Sequence, residues 1–285
     1  MFLNIRHLLH CLALLMFITL PPTFLSATEK FDSWLEYGTF WTIFIYATHF
    51  QVFCGIILFS PGILGMIFYD AFPGKVHLKN NLKDAPFLCF RVVTRGDYPN
   101  LVKQNLMKNL ELCQNVGVEN FTIEVVTDNP INIVQTPKTK ETLVPNEYET
   151  KTKAKFKARA LQYSLDDSVD VLQPRSWIVH LDEETLMTED SIRGILNFVL
   201  DGKHAIGQGM ITYASGNVEN WITTLADSSR IADEMGKNQL VMKLSNRPIF
   251  GMKGSFIVAR VKFFKNVLNT FKSFDKYFSM KQSVT

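Results

Sequence analysis

The 285 residues of this chain leave room for one or two domains. Its formal net charge of +3 is too small and too scattered to give nucleic acid a footing. Its four cysteines, Cys11, Cys54, Cys89 and Cys113, form neither a disulfide framework nor a metal-ligand spacing.

The N-terminal quarter differs from the rest. Residues 1–70 read as a membrane region with candidate helices over 8–25 and 38–60. Between Tyr37 and Tyr69 there is no Asp, Glu, Lys or Arg, and about twenty apolar residues suffice to cross a bilayer core. Pro61 and Gly62 should break or kink the second helix near its far end; His49 and Gln51 are its polar liabilities. The first segment has two readings. Arg6 before an apolar stretch suits a signal peptide, although Leu25 stands where a small residue is expected before a cut after Ala27. The alternative, which we favour, is a helical hairpin.

Basic residues orient such a hairpin. Arg6 precedes it, and Lys75, His77, Lys79 and Lys83 follow it in a basic linker over 71–84. The loop between carries Glu29, Lys30, Asp32 and Glu36. The N-terminus and everything after Asp70 should therefore face the cytosol, with the linker suited to anionic headgroups of the lipid bilayer. Asn120-Phe-Thr122 is a glycosylation sequon that a cytosolic domain would never use.

Residues 85–260 read as alternating strands and helices. Phe87–Val93 is a β-rich run ended by Thr94-Arg-Gly-Asp97. Tyr98-Pro99 then opens a helix with Leu101, Val102, Leu106, Leu110 and Cys113 on one face, closed by Gly117. Phe121–Val126 is a second strand, ended by Thr127-Asp128. A loop with Pro130, Pro137 and Pro145 follows, with a short strand around Leu143. Lys153–Leu165 is a basic helix, and strands are predicted from Trp177, over Ala205–Tyr213 and over Ser255–Val261. Such alternation predicts an α/β fold with a mostly parallel, Rossmann-like sheet.

The most telling stretch is Trp177-Ile-Val-His-Leu-Asp-Glu-Glu-Thr185. It delivers the chain from a buried strand into Asp182, Glu183 and Glu184, before an amphipathic helix over Asp190–Leu200. Ligands of α/β sheets sit at the carboxyl ends of strands. Mg²⁺ takes one or two protein carboxylates and completes its shell with phosphate and water. The acid-x-acid pair thus suits a metal-bridged nucleotide diphosphate, against the plainer reading of a solvated acidic turn. Asp97 and Asp128 end neighbouring strands, so three acidic strand ends converge. No Gly-x-Gly-x-x-Gly or Gly-Lys-Ser/Thr loop is present to cradle phosphate. On the basic helix, Lys157 or Arg159 could neutralise a diphosphate, or both could form a solvated face. His180, mid-strand, reads as a core histidine, and Ser228 and Ser229 lack the glycines of a nucleophile elbow.

Together these residues resemble the inverting family-2 glycosyltransferases of GT-A fold. Arg91-Val-Val-Thr-Arg-Gly-Asp97, Ile123-Glu-Val-Val-Thr-Asp128, the Trp177–Thr185 stretch and Asn197-Phe-Val-Leu-Asp-Gly-Lys203 are similar to the egghead-type β-1,4-mannosyltransferases. Gln208-Gly209, Ile211-Thr-Tyr-Ala214 and Asn220–Asp227 extend the likeness. The resemblance implies GDP-mannose as donor, glucosylceramide as acceptor, Mg²⁺ or Mn²⁺ as metal, and a multi-pass membrane enzyme of the ER or Golgi. It places Thr94, Arg95, Asp97, Asp128, Lys157 and Asp182 at the donor, with Asp182 and Glu184 on the metal.

One departure accompanies the match. An inverting transfer needs a base for the acceptor hydroxyl, which the family supplies from an Ala-Glu-Asp motif, followed by Gln-x-x-Arg-Trp. Neither occurs here. After Arg260 the only acid is Asp275, in a divergent tail over 261–285. The expectation is a C-terminally truncated, donor-binding form without its general base. A membrane-anchored nucleotide-sugar-binding protein and a UDP-sugar transferase of the same fold are the alternatives.

Overall fold

The computed structural model describes residues 5–27, 33–69, 74–150, 153–211, 220–246, 249, 251–252 and 254–270. In chain order the helices and strands are α1 (Ile5–Ala27), α2 (Ser33–Phe68), β1 (Leu88–Thr94), α3 (Pro99–Val116), β2 (Phe121–Thr127), β3 (Thr139–Leu143), α4 (Phe156–Tyr163), β4 (Trp177–Asp182), α5 (Glu189–Asp201), β5 (Ile206–Gln208), α6 (Trp221–Ala232), α7 (Gln239–Ser245), β6 (Ile257–Arg260) and α8 (Val261–Thr270). They form two compact units: Met1–Gly74 with Met210–Phe250, and Lys75–Gly209 with Gly251–Thr285.

The first unit is helical. α2 carries a left-handed break at Gly38 (φ 70°) and contains Pro61. A π-helical turn, Asp233–Asn238, joins α6 to α7. It packs on α2 through glycine: a Cβ on Gly65 would stand 2.2 Å from the Gly236 carbonyl oxygen, and one on Gly236 would stand 2.1 Å from that of Gly62. The widened turn also buries Glu234, whose carboxylate accepts the Ile211 N–H at 3.1 Å.

Both N-terminal helices lie where the apolar pattern puts them, but the reading of them as membrane spans is not supported. Among the described residues, no helix is long and apolar enough to cross a membrane. Freedom from charge is not apolarity: Trp41, Thr42, Tyr46, Thr48, His49 and Gln51 crowd into about three turns of α2. The loop acids Glu29 and Asp32, the start of the basic linker, Thr212 to Ala214, and the tail from 271, with Asp275, lie outside the described residues.

The second unit is a mixed α/β fold around a six-stranded, mostly parallel sheet of order β3-β2-β1-β4-β6-β5. β3, β2, β1 and β4 are parallel, whereas β6 runs antiparallel to both its neighbours. One face is apolar: Phe90, Val92, Ile123, Val125, Val179 and Leu181 pack against α3 and α5. α3 ends on Gly117 in the left-handed region (φ 86°), the conformation its predicted helix stop requires. α5 begins with a reciprocal Thr188–Ser191 capping box.

The other face carries a charged row where the apolar pattern would place core. Lys140, Glu124, Arg91 and His180 are register partners across β3, β2, β1 and β4. Arg91, 1 % exposed, binds Glu124 through Nε at 2.8 Å and Nη2 at 2.7 Å. Glu124 also accepts from the Thr142 hydroxyl at 2.7 Å and lies 3.5 Å from Lys140. Beyond Arg91, Asp170 lies 3.8 Å away and Lys265 of α8 reaches Asp170 at 3.1 Å. Burial alone would push the Glu124 carboxyl up. Arg91, Thr142 and Lys140 outweigh it and hold Glu124 below the usual carboxylate range.

His180 closes the row edge-on to Phe264, ring centroids 4.9 Å apart, and neither ring nitrogen has a hydrogen-bond partner. This is the core histidine its mid-strand position predicts. Burial first, then the charges of Arg91 and Lys157, hold its pKa well below the ordinary value. The unfolded chain binds a proton at this residue near pH 6.5, which the native state refuses. As pH falls below about 6.5 the unfolded state therefore holds more protons, and stability should drop by up to about 1.4 kcal/mol per pH unit from this residue. Urea unfolding between pH 7.5 and 5 should show that slope, and His180→Leu should flatten it. An unchanged slope in the variant assigns the acid sensitivity elsewhere.

Candidate active site

Because β1, β2 and β4 are parallel and in register, with Thr94 opposite Thr127 and Val93 opposite Asp182, their carboxyl ends share one sheet edge. The turns that leave this edge interlock. Gly96 is left-handed (φ 84°), and a Cβ there would stand 2.7 Å from the Asn129 carbonyl oxygen, so β1's turn crosses β2's on backbone alone. Asn129 fastens the crossing: its backbone N–H and side-chain amide donate to the Arg95 carbonyl at 3.2 and 2.9 Å. The Thr94 hydroxyl accepts from Gly96 N–H at 2.9 Å and donates to the Glu183 carboxylate.

The Asp182–Thr185 turn is pinned from α3. Asn105 and Asn109, one helical turn apart on its buried face, donate to the carbonyls of Glu183 (2.9 Å) and Thr185 (3.1 Å). Asn109 also accepts from Met187 N–H at 2.9 Å. From the β6 side, the Ser255 hydroxyl accepts the Asp182 N–H at 3.1 Å.

Around these turns lies a cavity of about 290 Å³, lined by Val93, Thr94, Arg95, Asp128, Phe156, Lys157, Ala160, Asp182, Glu183 and Glu184. Six of the seven site residues named from the sequence meet there. Asp97 does not line it; its carboxylate, half exposed, lies 3.7 Å from Arg95. α4 delivers the basic side chains to different places. Lys157 donates to Asp182 Oδ1 and to the Gly254 carbonyl at 2.8 Å. Arg159 binds Asp128 at 2.7 Å and the carbonyls of Pro145 and Tyr148 at 2.9 and 3.1 Å. Of the two cations considered for a diphosphate, Lys157 lines the cavity and Arg159 is committed to holding Asp128.

Sequence reasoning passed over Glu183, Phe156, Asn105 and Asn109. The asparagines left a signal, two amides at four-residue spacing on an otherwise apolar helix face. Among the described residues, no group of three or more His, Cys, Asp or Glu is arranged to hold a metal ion. Asp182 and Glu184 therefore offer two protein carboxylates.

Asn109 is 1 % exposed, so removing its amide strands the buried Met187 N–H and the Thr185 carbonyl. Asn109→Ala should cost about 1–3 kcal/mol in urea unfolding, chiefly from the unmet buried Met187 N–H, and Asn105→Ala less. Equal, negligible losses would mean the turn holds itself.

Residues 177–285 match the model of the glycosyl transferase family group 2. The β-1,4-mannosyltransferase egh of Drosophila melanogaster is 50% identical over 263 residues, 90% of this chain and 58% of that protein. The β-1,4-mannosyltransferases bre-3 of Caenorhabditis briggsae and Caenorhabditis elegans are each 47% identical over 266 residues, 91% of this chain and 58% of each relative. The chain thus spans somewhat over half the length of the curated relatives it matches. Among solved structures, residues 1–349 of S. aureus TarS align at a TM-score of 0.36 and 10% identity, covering 63% of this chain and 48% of that one, too slight a likeness to carry an argument. Over nine-tenths of its length this chain is similar to β-1,4-mannosyltransferases, and its residues 177–285 match the glycosyl transferase family group 2.

Proposed function

We infer that the chain acts in mannosyl transfer, taking mannose from GDP-mannose to glucosylceramide in β-1,4 linkage, in glycosphingolipid synthesis. The observation that carries this reading is the cavity itself. Acidic strand ends and one lysine converge there, in a chain half identical to enzymes named for β-1,4-mannosyl transfer.

The residues present fit a divalent cation. The Lys157 ammonium already sits on Asp182 as a cation would, and Glu184 is an exposed carboxylate on the same cavity wall. Asp182 and Glu184 would hold Mg²⁺ or Mn²⁺, with diphosphate oxygens completing the shell. Bound there, the cation supplies charge to the leaving diphosphate. Lys157 binds the diphosphate as well, exchanging Asp182 for it. Asp128, held by Arg159, and Thr94 and Arg95 take the nucleoside end. The acceptor hydroxyl must give up its proton as it attacks the anomeric carbon; we assign that proton to no residue of the cavity.

The test uses purified chain, GDP-mannose and Mg²⁺ or Mn²⁺. Glu184→Gln keeps the shape and removes one charge, so donor affinity should fall about tenfold or more, and a chelator should reproduce the loss in the parent. Undiminished binding by a folded Glu184→Gln protein would return Asp182–Thr185 to a solvated turn. Transfer to glucosylceramide is assayed alongside.

The bilayer is the second partner proposed, through the first unit, where Leu35, Phe40, Trp41, Ile43, Phe44 and Phe50 all expose more than half their surface. We place the protein in ER or Golgi membrane with the second unit facing the cytosol, where Lys75, His77, Lys79 and Lys83 also lie. Asn120, exposed at the start of β2, reports on this. Translated with microsomes, the chain should carry no glycan at Asn120. Its modification would put the second unit in the lumen.

A further inference from the structure

Phe156 is the least comfortable residue of the cavity. It opens α4 at φ 53°, in the left-handed region, where a bulky side chain is a genuine outlier. It gains little from burial in exchange, because it is 65% exposed and belongs to none of the hydrophobic clusters. The strained turn has a geometric result. It sends Lys157 inward to Asp182 and the Gly254 carbonyl while the Phe156 ring stands on the cavity wall. The Arg95 guanidinium lies 5.6 Å from the ring centroid, and the Arg95 backbone is fastened by Asn129. Strain of this kind persists where the surroundings impose it and clusters at ligand clamps.

A flat ring under a guanidinium, beside a carboxylate held by its own arginine, is the chemistry that receives a planar heteroaromatic ring with N–H donors. We propose that Phe156 and Arg95 form the stacking platform for the donor's nucleobase. Asp128 stands on the same wall to accept from the base edge. The inference rests on the donor-binding reading of this cavity and adds to it which residues discriminate a nucleoside diphosphate from bare diphosphate. Stacking of a base on an aromatic ring is worth about five- to a hundredfold in affinity on alanine substitution.

The experiment measures equilibrium binding of GDP and of pyrophosphate, each with Mg²⁺, to the full chain in detergent. Phe156→Ala should lose about ten- to a hundredfold for GDP and nothing for pyrophosphate, and Phe156→Tyr should retain GDP. Phe156→Gly relieves the left-handed strain, so it should melt no lower than the parent and still lose GDP. That split between stability and affinity is one a structural role would not give. Equal losses for GDP and pyrophosphate would overturn the platform, as would unchanged GDP affinity or a Phe156→Ala defect confined to the acceptor. A parent chain that binds pyrophosphate but not GDP, or neither, instead sinks the donor reading beneath it.

Discussion

The pair between Arg91 and Glu124 is the constraint on which the second unit depends. Two charges taken out of water cost several kcal/mol each, and only near-ideal geometry with further hydrogen bonds repays them. Here two guanidinium nitrogens share Glu124 Oε2, Thr142 and Lys140 take Oε1, and Asp170 lies near Arg91. Breaking one side of such a pair costs about 3–5 kcal/mol, because it leaves the other charge buried alone. Apolar strands tolerate slippage between similar residues, but a slip of one residue would turn Arg91 or Glu124 into the α3–α5 core. The charged row therefore locks β3, β2 and β1 in a single register, and β4 joins it through the β1 ladder. That register sets Thr94 opposite Thr127 and Val93 opposite Asp182, so the three strands end at one edge. The cavity's floor is set by the ladder two to three residues before the strand ends.

At the cavity itself the electrostatics run the other way. Lys157 and Asp182 are each about a third exposed, and a pair so placed is worth only about 0–1 kcal/mol. It is cheap to break. Arg159 and Asp128 are more enclosed, and three backbone carbonyls hold the guanidinium. One ion pair is thus open to solvent and weak, the other enclosed. In the proposed function a ligand with two phosphates would offer Lys157 more charge than Asp182 does, and that exchange would free a carboxylate for a cation.

The strands and their acidic ends were legible in the sequence because each obeys a local rule. β-rich runs stop at Thr94, Thr127 and Asp182, and Gly117 marks a helix end by backbone geometry alone. What local rules omit was missed. Arg91 and Glu124 sit within apolar runs, and nothing in either strand says that the two are neighbours across a parallel ladder. β6 reverses direction, which a short β-rich run cannot reveal. Glu183 is the unassigned residue of the acid-x-acid pair, yet Thr94, 89 residues away, holds its carboxylate at the cavity. On α2, absence of charge was read as apolarity, although Thr, His and Gln side chains occupy the run.

The two units are closed by opposite means, and this sets what each tolerates. In the first, α2 and the π-helical turn meet on backbone at Gly62, Gly65 and Gly236, where any side chain would enter a carbonyl. The extra residue of the π turn is what lets Gly236 come so near while Glu234 turns to the Ile211 N–H. In the second, side chains do the fastening, and among the described glycines backbone approaches backbone so closely only at Gly96, beside the cavity. There the close approach serves position: a β1 turn pressed against β2's leaves Thr94 one geometry, and Thr94 in turn holds Glu183. Packing in the first unit and placement in the second thus rest on the same property of glycine, used at the core of one and at the edge of the other.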